Sequence, residues 1–383
     1  MQNTSYIELS KKAYKSNIRF IRKIVGKDVK ISIVVKGNAY GHGIEQIIPM
    51  AEENKINHFS VYSAFEAEQV LEYKSKKSDI MIFGYISDEQ LEWVIKNQIE
   101  FYVFDIYRLN MALDIAKRIK KKARIHLELE TGFKRTGIEE EDFLTIVRLL
   151  KKNYRHFILE GICTHFAGAE SISNFVRVKN QLSLYRKYCR YFKRHGFIPK
   201  RKHTASSAAT LLYPLTIFDL VRVGIIQYGF WPTAETLIFR YNKFGDKESS
   251  LKRVISWQSK VMAIKSVNRG EFIGYGNTYL ANKNMKIAII PVGYNNGFSR
   301  SLSNKGRVLI QGRRLDVVGT VTMNTISVNI TDLKNVNIGD EVVLIGKQKK
   351  LSISVASFSE MSDNLNYQVL ARLPQNIPRY VVE

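Results

Sequence analysis

The chain has 383 residues, more than a typical single domain, and its 45% hydrophobic content is ample for a packed core. Seven prolines and the lack of low-complexity tracts argue against long disordered regions. The formal net charge of +24 could attract nucleic acid, but basic clusters such as residues 117–122 interrupt helical patterns, and no nucleic-acid-binding motif accompanies them. We therefore expect no specific nucleic-acid partner.

Cysteine usage and apolar runs bear on where the protein works. The two cysteines, Cys163 and Cys189, do not suggest a disulfide framework, which fits a reducing compartment. No run approaches the roughly 18 apolar residues of a membrane span. The first residues lack a basic stretch followed by an apolar one, so we expect no signal peptide. A cytoplasmic protein without membrane attachment is expected.

Short apolar, β-rich runs alternate with longer helical patterns through the first 225 residues. The strand candidates are Ile31–Val35, His58–Tyr62, Ile80–Gly84, Phe101–Phe104, Ile125–Leu129, Ile158–Thr164, His203–Ala205 and Asp219–Val223. Helical patterns lie between them at Ser63–Leu71, Asp88–Lys96, Tyr107–Lys120, Glu139–Lys152 and Phe175–His195. This alternation predicts an α/β fold, a (β/α)8 barrel of the TIM type.

The pattern changes after about Tyr241, where short strand-like segments are separated by turn residues. The strand-like segments are Arg253–Val267, Met285–Val292, Arg307–Gln311, Val317–Ile330 and Glu341–Ile345. We therefore expect a barrel at 1–240 and a mostly β domain at 241–383.

Lys36 ends the apolar run Ile31–Val35 and is followed by a Gly-rich stretch, Gly37–Gly43. A lysine at the tip of a buried strand suits a Schiff-base lysine, because a partly desolvated amine loses its proton more easily. The alternative is a lysine that extends to solvent beside a turn, and spacing alone favours that alternative.

The sequence of residues 34–43, VVKGNAYGHG, resembles the signature of the bacterial alanine racemases, which bind pyridoxal 5'-phosphate (PLP) through that lysine. The resemblance extends from about Tyr6 to about Pro378. It implies a PLP-binding barrel followed by a β domain, and a homodimer whose sites are shared between subunits. No metal is implied.

In a barrel, reactive side chains lie at the carboxyl ends of the strands, and phosphate often binds after the seventh and eighth strands. Lys36, His165, Ser207 and Arg222 all lie at such ends. Their flanking sequences are similar to those of the family's cofactor site. The residues expected to bind PLP are Lys36, Tyr40, His165, Ser207, Arg222, Gly224 and Ile225.

Arg222 matches the family's arginine that faces the PLP ring nitrogen. An arginine stays charged, so the nitrogen should stay unprotonated, which weakens electron withdrawal and discourages reactions other than exchange of the Cα proton. Without the resemblance, the serines at 206 and 207 could be helix caps, and His165 could be an ordinary core histidine.

Racemisation needs a base on each face of a planar carbanion, and Lys36 can serve only one. The resemblance assigns the second to Tyr275, in Gly274-Tyr275-Gly276, reaching the barrel of the partner subunit. It assigns substrate-carboxylate binding to Arg135 and the backbone at Met323; an arginine pairs bidentately with a carboxylate. Tyr294 matches a tyrosine at the entrance.

Three positions depart from the family pattern. Glu128 replaces a lysine that is often carbamylated, and its own carboxylate could supply the charge that orients Arg135. Asn324 replaces an aspartate, and Gln375 replaces a tyrosine near the substrate side chain. The added polar groups could admit a substrate that carries a hydroxyl, such as serine.

The sequence therefore predicts a PLP-dependent alanine racemase that supplies D-alanine for peptidoglycan. One alternative is a serine or broad-specificity racemase. Less favoured are a related decarboxylase, which would use a β-domain cysteine, and a non-catalytic PLP-binding protein, which would consist of a barrel alone. Substrate range, dimer affinity and the role of the +24 charge are not determined by the sequence.

Overall fold

The protein is described by a computed structural model covering residues 3–362 and 366–383, with backbone alone for 359–362. Two compact units divide the chain. The first, called here the barrel unit, comprises Ala13–Lys36 and Ile47–Lys252. The second, called the β unit, comprises the N-terminal segment through Lys12, the segment Gly37–Gln46, and the chain from Arg253 onward.

The strands of the described residues are numbered in chain order. They are β1 (Ser5–Ser10), β2 (Lys30–Val34), β3 (His58–Val61), β4 (Asp79–Ile82), β5 (Glu100–Val103), β6 (Ala123–Glu128), β7 (Phe157–Cys163), β8 (Arg201–His203), β9 (Leu220–Val223), β10 (Ile255–Lys260), β11 (Ala263–Val267), β12 (Met285–Ile290), β13 (Arg307–Ile310), β14 (Arg313–Val318), β15 (Ile326–Asn329), β16 (Glu341–Gln348), β17 (Leu351–Ile353) and β18 (Arg379–Val382).

The α-helices of the described residues lie mostly between the barrel strands. They are Lys11–Val25, Ile44–Glu53, Ala64–Tyr73, Asp88–Lys96, Ile106–Ile119, Phe143–Lys152, Phe175–Arg194, Ser207–Leu212, Ala234–Phe244, Val355–Ser362 and Asn366–Ala371. In the part of the chain that the structure describes, no helix is both long and apolar enough to cross a membrane.

The barrel unit is built on eight parallel strands in the order β8-β7-β6-β5-β4-β3-β2-β9. Backbone hydrogen bonds from Asp219 N to Lys202 O (3.0 Å) and from Arg222 N to Ala205 O (2.9 Å) join the two ends of this sheet. Every residue of β3, β5 and β9 is buried, as expected for parallel strands covered on both faces. The predicted (β/α)8 barrel is confirmed, and all eight predicted strands are present with ends shifted by at most two residues.

Local capping turns the chain from strand to helix at the carboxyl ends of the barrel strands. Each capping side chain accepts a hydrogen bond from the backbone N–H three residues later, which satisfies a donor that the helix cannot. The capping residues are Ser63, Ser87, Asp105, Ser206 and Thr233.

The β unit contains one sheet in the order β11-β12-β15-β14-β13-β16-β10-β1-β18, so the predicted mostly β second domain is confirmed. The sequence predicted one boundary after residue 240, whereas the β unit also includes two segments from the first 46 residues. β1 pairs with β10 antiparallel and with β18 parallel, so the first residues of the chain belong to the β unit.

The strand-like segment Val317–Ile330 is two strands in the structure, β14 and β15, rather than one. Gly319 has a positive φ of 79°, and Thr322 and Thr325 exchange hydrogen bonds across a tight turn. Val321, inside the turn, is buried, so the apolar pattern of the sequence continues through the turn. The pattern alone therefore does not show that the strand is interrupted there. The turn places Met323 in solvent, with 54% of its surface exposed.

Candidate active site

Lys36 lies just beyond the carboxyl end of β2 in the barrel unit. Its ammonium lies 5.6 Å from the centre of the Phe83 ring. Desolvation and the nearby charge of Arg135 lower the pKa of Lys36, and Glu66 opposes this effect. A lowered pKa increases the fraction of neutral amine, the form that attacks a carbonyl or accepts a proton.

The five residues after Lys36, from Gly37 to Gly41, all have left-handed backbone conformations, with φ between 51° and 74°. This conformation is costly for residues with a Cβ, so the turn must be held by its surroundings. Within the β unit, Arg379 Nε donates to Gly41 O at 2.9 Å, and a Cβ on Gly41 would lie 2.0 Å from Leu370 O. The turn therefore depends on the last strand segment of the same unit.

The same turn carries Tyr40, whose ring lies 6.0 Å from that of Tyr367 in the β unit. His42 is fully buried two residues later, and its Nδ1 lies 2.9 Å from Tyr40 O and 3.1 Å from Ala39 O. Both partners are carbonyl oxygens, so His42 donates from Nδ1. Burial lowers the pKa of His42 to about 3, so this histidine is neutral.

Arg222 lies on β9 with only 7% of its surface exposed. Its NH1 donates to His203 Nδ1 at 2.6 Å and to His203 O at 3.1 Å. Its NH2 donates to the carbonyl oxygens of Thr164 (2.9 Å) and Thr204 (3.2 Å). These bonds orient the guanidinium, and its Nε–H has no partner among residues 3–362 and 366–383.

His165 follows β7 by two residues, and its Nδ1 lies 3.5 Å from Arg222 NH2. Burial lowers the pKa of His165 to about 3, and the positive charges of Arg222, Arg135 and Lys36 act in the same direction. His165 is therefore a neutral ring at physiological pH. The charges of Arg222, Arg135 and Lys36 thus all act on His165 within the barrel unit.

Ser206 and Ser207 have different roles. Ser206 caps the helix Ser207–Leu212, so the helix-cap alternative applies to it. Ser207 is buried, and its hydroxyl oxygen accepts the backbone N–H of Gly224 at 2.9 Å. The turn Ile225–Tyr228 begins at the next residue. β8 and β9 are the seventh and eighth strands of the barrel. The Ser207 hydroxyl and the Gly224 N–H thus lie together where barrels often bind phosphate.

Glu128 and Arg135 line one small cavity with His165 in the barrel unit. Glu128 is 4% exposed and accepts a hydrogen bond from Thr136 Oγ1 at 2.8 Å. In the described residues it makes no ion pair with Arg135, whose guanidinium instead lies 4.4 Å from the centre of the Phe133 ring. Burial raises the pKa of Glu128, while Thr136 and the charges of Arg222 and Arg135 oppose the rise.

The loop that carries Arg135 is shaped by Glu130. This carboxylate accepts hydrogen bonds from the backbone N–H groups of Gly132, Phe133 and Lys134. Because the three donors converge on one buried side chain, the loop returns to the barrel opening with Arg135 exposed at its tip.

Tyr275 and Met323 lie in the β unit, as does Tyr294. Tyr275 is 74% exposed, between Gly274 and Gly276, which both have φ of 76°. Its backbone oxygen accepts a hydrogen bond from Thr320 Oγ1 at 2.9 Å. The structure therefore places Lys36, Arg135 and Arg222 around His165, and Ser207 beside Gly224, in the barrel unit. It leaves Tyr275 exposed in the other unit.

Sequence reasoning missed part of the barrel interior. The predicted strands begin at His203 and at Phe101, and no role was predicted for His203 or Glu100, yet both are fully buried and hydrogen-bonded to His126. A signal was present in the sequence. Glu100 stands inside the apolar run Ile99–Phe104, where a charged residue needs a partner.

Comparison with known proteins agrees with this geometry. Residues 9–232 match the family model described as alanine racemase, N-terminal domain, and residues 254–381 match alanine racemase, C-terminal domain. Alanine racemase 1 of Caldanaerobacter subterraneus subsp. tengcongensis is 34% identical over 97% of this chain and 93% of its own length. The alanine racemase of Methanococcus maripaludis is 32% identical, with 98% and 97% covered.

A solved structure, the alanine racemase of Clostridium difficile 630, superposes with a TM-score of 0.90 at 29% identity, covering 100% of this chain and 97% of that one. Both family models match in order and together span most of the sequence. The chain belongs to the alanine racemase family.

Proposed function

We propose that the protein is a PLP-dependent alanine racemase that interconverts L- and D-alanine. The observation that carries the proposal is the group formed by Lys36, His165 and Arg222 at the carboxyl ends of barrel strands, where the pKa of Lys36 is lowered. We further propose a cytoplasmic homodimer with sites shared between subunits, which supplies D-alanine for peptidoglycan.

The barrel unit has groups that fit PLP. The Ser207 hydroxyl accepts the Gly224 N–H, which orients it and leaves its own O–H to donate to the phosphate. The Nε–H of Arg222 is the guanidinium donor that the protein leaves for the ring nitrogen. His165, neutral and beside Arg222, can lie against the ring, and Lys36 can bond to the cofactor aldehyde. Ile225 completes the expected set within this unit, and Tyr40 lies in the β unit.

When bound, PLP would supply electron withdrawal that acidifies the Cα–H bond of the amino acid. Arg222 limits this withdrawal, because a permanently charged guanidinium does not share a proton with the ring nitrogen. Its burial and multiple carbonyl contacts prevent it from turning away. The arrangement favours exchange of one proton over transamination.

Two bases carry the proton in this proposal. The Lys36 amine removes or returns the Cα proton on one face, and its lowered pKa makes the neutral form accessible. The Tyr275 hydroxyl, contributed by the partner subunit, acts on the opposite face. The exposure of Tyr275 supports this role, since a residue that serves another subunit must reach the surface.

Substrate binding falls to Arg135 and the backbone at Met323, which hold the carboxylate. Glu128 provides a negative charge in the cavity beside Arg135 without carbamylation. Its hydrogen bond to Thr136, the neighbour of Arg135, supports an indirect role in which Glu128 fixes the loop that bears the arginine.

A serine or broad-specificity racemase is the second candidate. Asn324 and Gln375 are both exposed in the β unit, so their side-chain amides are accessible to a hydroxyl-bearing side chain of the substrate. The decarboxylase alternative is disfavoured, because Cys163 and Cys189 both lie in the barrel unit. A barrel-only PLP-binding protein is disfavoured by the presence of the β unit.

The test is a racemisation assay across the amino acids with added PLP. We expect alanine to be converted fastest, with serine as the most informative competitor. Conversion of serine ahead of alanine would support the second candidate. No racemisation of any amino acid by PLP-loaded protein would contradict the proposed function.

A further inference from the structure

Four charged or polar side chains form a continuous chain of hydrogen bonds through the barrel interior. Arg222 NH1 lies 2.6 Å from His203 Nδ1, and His203 Nε2 lies 2.8 Å from His126 Nδ1. His126 Nε2 lies 2.8 Å from Glu100 Oε2. His203, His126 and Glu100 are each 0% exposed. We call this set, Arg222, His203, His126 and Glu100, the interior relay.

The direction of every bond in the interior relay follows from its arginine end. A guanidinium can only donate, so His203 must accept at Nδ1 and carry its proton at Nε2. His203 Nε2 then donates to His126 Nδ1, which places the proton of His126 at Nε2. His126 donates in turn to the Glu100 carboxylate, which can only accept. Both imidazoles are thereby neutral and aligned in one direction.

The carboxylate end is held independently. The second oxygen of Glu100 accepts from Arg124 NH2 and Arg201 NH2, both at 2.7 Å. Burial opposes ionisation, but hydrogen bonds from His58 and His126 hold the pKa of Glu100 well below its usual range, and the two arginines pair with the charge. Glu100 also accepts from His58 Nε2 at 3.1 Å, and the Nδ1 of His58 lies 2.8 Å from Ser32 Oγ. Every polar atom of the carboxylate end therefore has a partner.

The interior relay does not conduct protons to the site. Arginine cannot be deprotonated in proteins, so a proton cannot pass beyond His203. The relay instead fixes the orientation of its hydrogen bonds. The negative charge of Glu100 fixes the tautomers of His126 and His203, so that His203 presents the lone pair of Nδ1 to Arg222. The ring of Tyr102, 5.9 Å from His126 and 6.0 Å from His203, excludes water from these bonds and strengthens them.

We propose that Glu100 is a positioning residue for the cofactor site, acting through His126 and His203 to hold Arg222 as the donor facing the ring nitrogen. This inference rests on the proposed PLP-dependent function. It extends the site across the barrel interior, since Glu100 and Arg222 lie on strands β5 and β9 and share no direct contact.

The decisive variant is Glu100→Gln, which keeps the shape and removes the charge. The amide of the glutamine has one acceptor oxygen. Arg124 and Arg201 can only donate, so they take this oxygen, and the amide NH2 then faces His126. His126 must accept at Nε2, so both imidazoles reverse, and His203 presents an N–H to the donor NH1 of Arg222. We expect the guanidinium to turn away, which raises the PLP dissociation constant roughly tenfold or more, the scale of a lost hydrogen bond to a charged group.

Two further readouts separate positioning from general damage. The absorption band of the bound cofactor should shift in the Glu100→Gln holoenzyme, since its ring nitrogen loses a donor. For alanine, kcat should fall while KM changes little, because Arg222 is not assigned to the substrate carboxylate.

Glu160→Gln is the matched control. Glu160 accepts from Arg124 Nε at 2.7 Å and from Arg201 NH2 at 2.9 Å, so it shares the arginines of Glu100. It has no hydrogen bond to a histidine among the described residues. We expect a comparable loss of thermal stability with an unchanged cofactor band and PLP affinity. Equal effects of the two variants on the cofactor would overturn the inference.

A measurement on the unmodified holoenzyme covers the case in which Glu100→Gln does not fold. In protein labelled with ¹⁵N-histidine, at least three neutral Nε2–H rings should persist from pH 5 to pH 9, arising from His58, His126 and His203. Neutral Nδ1–H rings in their place, or titration of these histidines, would refute the relay. Failure of the unmodified protein to bind PLP would instead refute the proposed function and leave this histidine test valid.

Discussion

The barrel unit and the β unit present their candidate site residues in opposite ways. Arg222 is 7% exposed and held by hydrogen bonds to residues on neighbouring strands. Tyr275 is 74% exposed, and its hydroxyl has no hydrogen-bond partner among residues 3–362 and 366–383. The barrel residues are thus positioned by their own chain. Tyr275 has no such support, which is why we propose that a partner subunit completes its surroundings.

The largest expected effect comes from Lys36 in the barrel unit. Lys36→Ala should abolish covalent trapping of PLP by borohydride and remove racemase activity, because no other amine stands at the end of β2. Lys30→Met is the matched control: Lys30 begins the same strand and pairs with Asp79 at 3.4 Å. Peptide mapping after reduction measures both. PLP trapped on a different lysine in Lys36→Ala would exclude the assignment.

Tyr275 tests the other side of the comparison. Tyr275→Phe should reduce kcat by roughly 10²–10⁴, the contribution of a positioned acid–base group, while PLP remains bound. Tyr279→Phe is the control, since Tyr279 packs against the apolar core of the β unit close by in the chain. Steady-state kinetics in both racemisation directions give the comparison, and similar losses in the two variants would count against a specific role.

Mixing subunits sharpens this test. If a site takes Lys36 from one subunit and Tyr275 from another, a mixture of Lys36→Ala and Tyr275→Phe proteins should regain activity once subunits exchange. One of the two sites in each hybrid dimer would then be intact. Exchange demonstrated by mass spectrometry without regained activity would rule out a shared site.

Acid should destabilise both units, because each contains a neutral histidine whose pKa is lowered by desolvation to about 3, His165 in the barrel unit and His42 in the β unit. Below about pH 6.5 the unfolded histidines bind protons that the folded ones do not, so stability falls with pH in this window and is present in full above it. Between pH 7 and pH 5 the loss is at most about 2 kcal/mol for each histidine.

Urea unfolding at pH 7 and pH 5 measures this acid effect. Glu128 acts in the opposite sense, since its raised pKa makes the folded state bind protons more readily than the unfolded state. The histidines outnumber it, so the net change should be destabilising. Equal urea midpoints at the two pH values would show that the histidines are not neutral in the folded protein.

Glu128→Gln should have the smallest effect. We expect KM for alanine to rise several-fold and kcat to fall less, because the variant removes a charge beside Arg135 and retains a partner for Thr136. Thr136→Val is the control that removes this hydrogen bond and keeps the charge of Glu128. Intact-mass measurement should show no carbamylation, and unchanged kinetics in Glu128→Gln would contradict the role.

The order of strands and helices could be predicted from the sequence, because apolar runs and helix caps are local features of the chain. Parallel strands buried on both faces produce short apolar runs, and helices between them begin at Ser and Asp caps. The placement of Lys36 after the first barrel strand followed from the same pattern. The strand ends were less certain, as at β8, where the strand is Arg201–His203 and the predicted segment began at His203.

The interior of the barrel was not readable in this way. Alternation along the predicted strand Ile125–Leu129 puts His126 and Glu128 on one face, but the partners of His126, Glu100 and His203, lie 26 and 77 residues away in sequence. Whether such groups meet depends on strand register, which a single sequence does not specify. Glu128 illustrates the same point. The sequence suggested that its carboxylate orients Arg135, whereas in the structure it accepts a hydrogen bond from Thr136 and makes no ion pair with Arg135.

By itself, the sequence determined the order of strands and helices, the family signature around Lys36 and the residue types available for chemistry. Tertiary structure alone decided the assignment of β1 to the β unit, the left-handed turn after Lys36 and the interior relay. The physical reason is the range of the forces involved. Burial patterns and caps act between near neighbours in the chain, whereas hydrogen bonds between buried charges form only where folding brings distant strands into register.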